Sequence, residues 1–209
     1  MIKIVFMGTP DFSVPTLIKL HTDNEIEIGY VVTKKDAKSN RGQKINFSDV
    51  KIKAMEYGLD ILQTEKIKEE KEIIDKIKKY NPDFIIVVAY GQILSKKILD
   101  IPKVACINGH ASLLPKYRGA SPIQSAILAG EKITGTTSML MNEGLDTGDI
   151  LVKKSIDIEE KETADRNQYL EARRADMEKK LETFADMERK LNILMGIHGE
   201  QFDSLPSEG

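Results

Sequence analysis

Asp83-Phe84-Ile85-Ile86-Val87-Val88-Ala89, set off by Pro82, is the stretch that decides the fold. From Phe84 to Ala89 no polar residue interrupts it. A strand with one wet face would alternate. An unbroken apolar run of this length fits a strand covered on both sides, as in a parallel sheet whose crossovers are helices. Its surroundings agree. Upstream, Lys66 to Tyr80 carries Ile67, Ile73, Ile74 and Ile77 at helical spacing, which predicts one amphipathic helix. Downstream, Val104 to Asn108 is a second apolar run. Towards the start, Ile2 to Met7 predicts a buried strand, Gly8 to Asp11 a turn and Val14 to Leu20 a helix. Then come a strand over Ile26 to Val32, a polar loop from Lys34 to Lys44, a helix over Val50 to Tyr57 and a short strand over Asp60 to Gln63. Beyond the second run, Ser121 to Leu128 predicts a helix stopped by Gly130. Thr134 to Met141 and Ile150 to Ile158 alternate, as an antiparallel pair at one edge would. The expected fold class is α/β, a doubly wound, mostly parallel sheet.

Composition narrows the function. The chain has 209 residues and a formal net charge of −2, so bulk attraction to nucleic acid or membrane is not expected and any such contact must be local. A single cysteine, Cys106, excludes an internal disulfide and a multi-cysteine metal site, and its place in Val104-Ala105-Cys106-Ile107 predicts a small buried hydrophobe. No metal is expected. The opening run reaches Gly8-Thr9-Pro10 too soon for a secretory signal, and no apolar stretch approaches membrane-spanning length. A cytoplasmic protein is expected.

The chemistry is concentrated where the strand from Val104 ends. Asn108-Gly109-His110 is followed by Ser112-Leu113-Leu114-Pro115-Lys116-Tyr117-Arg118-Gly119, and Asp146 lies downstream in Gly144-Leu145-Asp146-Thr147-Gly148-Asp149. Open α/β sheets bind ligands beyond the carboxyl ends of their strands, so fold and chemistry point to the same edge. An amide can polarise a carbonyl, an imidazole can carry or take a proton, and a carboxylate can orient the imidazole. Together they can move an acyl group between two nitrogens. His21 and His198 have no such context and are expected to be ordinary structural or surface residues.

These residues carry a resemblance. Gly8-Thr9-Pro10-Asp11-Phe12, the run from Val88 to Leu94, Ile107-Asn108-x-His110-Ala111-Ser112-Leu113-Leu114-Pro115-Lys116-Tyr117-Arg118-Gly119-Ala120, Pro122-Ile123-Gln124 and the segment from Gly144 to Asp149 together resemble the methionyl-tRNA formyltransferases over residues 1–164. The resemblance implies a Rossmann-like fold and transfer of formyl from 10-formyltetrahydrofolate to the α-amino group of methionyl initiator tRNA. It makes Asn108, His110 and Asp146 catalytic. It places the folate along Val88, Ala89, Tyr90, Gly91, Gln92, Ile93 and Leu94, along Ser112, Leu113, Leu114 and Pro115, and at Asn142 and Gly144. It assigns tRNA contacts to Lys35, Lys38, Arg41, Gly42, Lys44 and Arg118, with Arg41-Gly42 matching an Arg-Gly of the family. By composition alone, that loop is equally a solvated basic loop. Glycinamide ribonucleotide formyltransferases share the catalytic set, but here the first loop holds proline and lacks the clustered glycines that would offer N–H groups to phosphate. Sugar formyltransferases share Ser-Leu-Leu-Pro, and Ala120-Ser121-Pro122-Ile123-Gln124 favours the tRNA enzymes. A formyltransferase for a sugar or other small amine, and a non-catalytic folate-binding remnant on a self-associating helix, remain open.

Two departures stand out. Gly109 sits where the family usually has a bulky aliphatic, which predicts a looser strand end. Past residue 164 the composition breaks: residues 1–164 hold 22 Lys and 2 Arg, and residues 165–209 hold 3 Lys and 4 Arg. The expected organisation is a catalytic domain over 1–164 and an unrelated helical tail over 165–209, without the family's C-terminal β-barrel and with weakened tRNA binding. Leu170, Met177, Phe184 and Leu191 recur every seven residues, so one long amphipathic helix of roughly 45 Å is expected from Asp165 to Met195. Such a helix could pair with a second copy of itself.

Overall fold

The computed structural model describes residues 1–38 and 45–159. The chain divides into two units, Met1–Ile158 and Glu159–Gly209. The long helix expected over 165–195 lies outside the described residues, as do Arg41, Gly42 and Lys44.

Strand β1 (Ile2–Gly8) buries Ile4, Val5, Phe6 and Met7 in succession. Helix α1 (Val14–His21) returns the chain to β2 (Ile26–Thr33). Two short strands, β3 (Ala37–Lys38) and β4 (Ile45–Asn46), pair antiparallel. Helix α2 (Asp49–Glu56) begins where the Ser48 side chain accepts the Lys51 N–H at 3.1 Å, an N-cap bond. It leads to β5 (Ile61–Gln63), then α3 (Lys71–Tyr80), which ends on Asn81 in the left-handed region (φ 55°). Strand β6 (Phe84–Val88), helix α4 (Lys96–Leu99), β7 (Ala105–His110), helix α5 (Pro122–Leu128), β8 (Ile133–Leu140) and β9 (Ile150–Asp157) complete the unit.

Seven strands form one sheet in the order β5-β2-β1-β6-β7-β8-β9. The pairs from β5 through β7 are parallel, and β8 and β9 add antiparallel strands at one edge. The run quoted at the outset is thus a central strand. Successive residues of β6 alternate between two cores. Ile85 and Val87 join Val5, Met7, Ile77 and Cys106 on one face, whereas Val88 joins Phe6, Leu17, Val31 and Val50 on the other. Both faces being covered is why the sequence shows no alternation there. Cys106 is buried, its thiol faces the Leu99 carbonyl, and burial pushes that thiol up to about 12.

Three expectations need correction. Lys66 to Tyr80 is not one helix: a 3-10 turn over Ile67–Glu69 precedes α3, with the break at Glu70. Ile67 is fully buried and its N–H donates to the Gln92 side chain at 2.8 Å, which pins that turn, and Glu70 (φ −93°, ψ 81°) leaves the helical region before α3 begins. The polar loop after β2 contains β3, paired with β4. The strand expected to stop at Asn108 runs on to His110, because β8 pairs with it through Gly109↔Ser138 and His110↔Thr137.

Candidate active site

Asn108 and His110 lie two residues apart on β7, so their side chains leave the same face of the sheet. Asp146 meets both from the loop between β8 and β9. The Asn108 side-chain amide donates to Asp146 Oδ1 at 3.1 Å. Asp146 Oδ2 stands 3.5 Å from His110 Nδ1 and accepts the Gly119 backbone N–H at 2.8 Å. The His110 and Asp146 side chains are only 7% and 10% exposed, so these contacts are shielded from water and count for more than surface pairs. One carboxylate therefore joins β7 to the loop that follows it.

The other nitrogen of His110 settles a proton. Nε2 lies 2.8 Å from the carbonyl oxygen of Tyr117. A carbonyl only accepts, so Nε2 carries hydrogen. Nδ1 faces the Asp146 carboxylate at 3.5 Å.

The segment Ser112–Gly119 is held from several directions. Ser112 Oγ donates to the Lys116 carbonyl at 2.7 Å. Thr137, fully buried on β8, donates to the Ser112 carbonyl at 2.7 Å and accepts the Leu114 N–H at 3.1 Å. Lys153 of β9 donates to the Leu114 carbonyl. Glu131, between α5 and β8, accepts from Lys116 Nζ and from the Tyr117 hydroxyl, both at 2.8 Å. The Asp146 loop is wound as tightly. The Asn142 side-chain oxygen accepts the Gly144 N–H at 3.0 Å and the Thr147 hydroxyl at 2.9 Å. Asp146 itself has φ 50°, a left-handed conformation in which Asp is among the better tolerated residues.

With that geometry in hand, likeness to other proteins becomes informative. Residues 2–183 match the Formyl transferase family. The chain belongs to this family. The match runs past 164, where the resemblance read from motifs ended. Over 158 residues the chain is 55% identical to the methionyl-tRNA formyltransferase of Clostridium botulinum (strain Alaska E43 / Type E3), covering 76% of this chain and 50% of that protein. It is 55% identical over 164 residues to the methionyl-tRNA formyltransferase of Clostridium tetani, covering 78% and 52%. The chain thus spans about half the length of the curated relatives it matches. Among solved structures, the phosphoribosylglycinamide formyltransferase from Bacillus halodurans superposes with a TM-score of 0.62 at 21% identity, covering 76% of this chain and 81% of that one. That likeness is one of fold, and it agrees with the mostly parallel α/β sheet seen here.

The formyl transferase fold distributes the remaining expected site residues unevenly. Val88, Tyr90 and Leu94 belong to the two cores. The Tyr90 hydroxyl is buried with no hydrogen-bond partner among the described residues, and burial pushes its phenol up. Gln92 spends both ends of its amide inside the protein, on Ile67 N–H and the Thr64 carbonyl. Ala89 and Gly91 have positive φ, and Ile93 is 80% exposed. Ser112 and Leu114 are buried, whereas Pro115, Asn142 and Gly144 are exposed. Lys35 pairs with Glu70 at 3.7 Å, Lys38 ends β3, and Arg118 is exposed. Motif reading missed the Tyr117 carbonyl, the Gly119 N–H, Thr137 and Glu131. Backbone groups carry no residue signature; a buried threonine on an alternating strand was the only available hint. Among the described residues no cluster of three or more His, Cys, Asp or Glu stands together, and no helix is long and apolar enough to cross a membrane.

Proposed function

We propose that this chain transfers a formyl group from 10-formyltetrahydrofolate to the α-amino group of methionine on initiator tRNA. The observation that carries the proposal is the Asp146 carboxylate, which meets Asn108 Nδ2, His110 Nδ1 and Gly119 N–H at the carboxyl end of β7. In the reaction a C–N bond forms to the methionine nitrogen, the bond to folate N10 breaks, and one proton passes from the amine to N10. Asn108 uses one amide hydrogen on Asp146 and keeps the second for a formyl oxygen that gains negative charge. His110 stands at the same end as the group able to carry the proton; one well-placed donor to the oxyanion is worth about 3 kcal/mol of barrier. Burial of the pair keeps water from weakening both effects.

The turn after β6 suits a flat heterocycle. Among the described residues, the backbone N–H groups of Gly91 and Ile93 have no partner, and the loop from Asn142 to Asp146 faces the catalytic set through Asp146. We assign the donor to Val88–Leu94, Ser112–Pro115, Asn142 and Gly144, and the tRNA to Lys35, Lys38, Arg41, Gly42, Lys44 and Arg118. The two relatives at 55% identity, both methionyl-tRNA formyltransferases, support this acceptor over a sugar amine. Purified chain mixed with methionyl initiator tRNA and 10-formyltetrahydrofolate should yield formylmethionyl-tRNA. Absence of product at every tRNA concentration would overturn the proposal, and product with a sugar amine alone would replace it.

The same proposal places the chain in the cytoplasm. It takes the seven-residue spacing of Leu170, Met177, Phe184 and Leu191 as an amphipathic helix that pairs with a second copy. Sedimentation should then show mass rising with protein concentration; a monomer throughout would remove the pairing.

A further inference from the structure

Tyr117 has φ 57°, a left-handed conformation that bulky residues avoid, and its carbonyl is the group facing His110 Nε2. Such a conformation persists only where the surroundings over-determine it. The restraint is at the other end of the same residue. The Tyr117 hydroxyl donates to Glu131 Oε1 at 2.8 Å, and Lys116 Nζ donates to the same oxygen. Lys116 and Tyr117 hold the Glu131 carboxyl below the usual carboxylate range, so it is a charged acceptor near neutral pH. The Lys116–Glu131 pair is open to solvent, with the lysine side chain 66% exposed, and exposed pairs add little stability. Glu131 also lines an open cleft of about 420 Å³ with Pro115, Tyr117 and Ile133. None of Asn108, His110 and Asp146 lines that cleft, so Glu131 reaches the chemistry only through the loop.

We infer that Glu131 is a positioning residue: by clamping the Tyr117 phenol it fixes the Tyr117 carbonyl against His110 and keeps the hydrogen on Nε2. With Nε2 satisfied by a carbonyl, Nδ1 is the nitrogen left for Asp146, and the ring cannot turn over to exchange the two roles. If the clamp is released, Tyr117 is free to leave its left-handed conformation and its carbonyl leaves Nε2. His110 then samples both tautomers and both ring orientations. The inference rests on His110 being the reacting imidazole of the proposed transfer.

The test compares Glu131→Ala and Tyr117→Phe, which remove the clamp, with Glu131→Gln, whose amide oxygen still accepts from the Tyr117 hydroxyl. Nitrogen-15 spectra of the imidazole groups report which nitrogen of His110 bears hydrogen, whether or not the chain transfers formyl. The first two variants should average the His110 signals between tautomers and lower kcat by about 10- to 100-fold, the scale of a misplaced reacting group, with KM for the folate donor changed less than about twofold. Glu131→Gln should restore the wild-type nitrogen signals and most of kcat. Wild-type His110 signals in both Glu131→Ala and Tyr117→Phe would overturn the inference. So would a Glu131→Gln protein as impaired as Glu131→Ala with the same drop in melting temperature, since that pattern marks a role in folding alone. Averaged His110 signals in a chain with no transferase activity would leave the clamp standing and remove the proposed function instead.

Discussion

With asparagine in place of Asp146, kcat for formyl transfer is expected to fall by about three orders of magnitude while the fold persists. The carboxylate has acceptors on both sides, and both are in use: Oδ1 takes Asn108 Nδ2 at 3.1 Å, while Oδ2 takes Gly119 N–H at 2.8 Å and faces His110 Nδ1 at 3.5 Å. An asparagine offers one oxygen and one NH2. If its oxygen replaces Oδ2, its NH2 confronts the Asn108 amide, which must flip and turn its own donors away. If its oxygen replaces Oδ1, the NH2 meets the Gly119 N–H and the His110 ring together. Either choice loses a donor to the developing oxyanion or the charge that orients the ring, and each loss is worth about 10²-fold or more. Asp146 and His110 act as a unit, so His110→Ala combined with Asp146→Asn should be hardly worse than His110→Ala alone. Single-turnover rates at saturating tRNA measure this directly. A fall of less than about tenfold, or losses that multiply in the double variant, would mean that Asp146 does not organise the site.

How far the site could be read in advance depends on what kind of atom does each task. The roles proposed for Asn108, His110 and Asp146 are side-chain roles, and their types and order announced them. The strand that carries the first two was legible because Ala105 to Ile107 form an apolar run whose Cys106 is buried in the core. The Tyr117 carbonyl and the Gly119 N–H act through the backbone, which every residue shares. Their importance comes from the left-handed turn at Tyr117 and from Asp146 reaching across from another loop. Glu131 looked like one acid among 33 acidic residues. The break at Glu70 was hidden for a related reason. Ile67, Ile73, Ile74 and Ile77 keep helical spacing, yet α3 starts only at Lys71, with Glu70 outside the helical region and the Ile67 N–H held by the distant Gln92 side chain. Local periodicity reports which face is buried. It does not report a hydrogen bond arriving from twenty-five residues away.

Alanine at Gly148 should be the most disruptive of the single-methyl additions around the site, destabilising the fold by about 3 kcal/mol and carrying activity away with it. A Cβ built there falls 1.8 Å from the Leu140 carbonyl oxygen and 2.8 Å from its carbon. These are backbone atoms, and they are tied on both sides. Leu140 pairs with Ile107 of β7 and its N–H donates to the Asp149 carbonyl at 2.8 Å. The strand cannot recede without tearing the ladder that positions Asn108 and His110. The loop must move instead, and it carries Asp146. Gly109 makes the opposite case although it stands between Asn108 and His110, the two residues proposed to be catalytic. Its added Cβ would come nearest to Val88 Cγ2, at 3.2 Å, with Val88 Cγ1 and the Val87 carbonyl oxygen at ordinary contact distance. The buried Val88 side chain must give by a few tenths of an ångström, a small cost that is offset because the substitution removes the conformational freedom of a glycine in mid-strand. Gly109→Ala should therefore shift stability by less than about 1 kcal/mol in either direction. Urea unfolding of both variants gives the comparison. A Gly148→Ala protein with the wild-type midpoint and normal formyl transfer would show that the loop has room the close approach denies. A Gly109→Ala protein that fails to fold would show that the buried Val88 side chain cannot give way to a side chain at position 109.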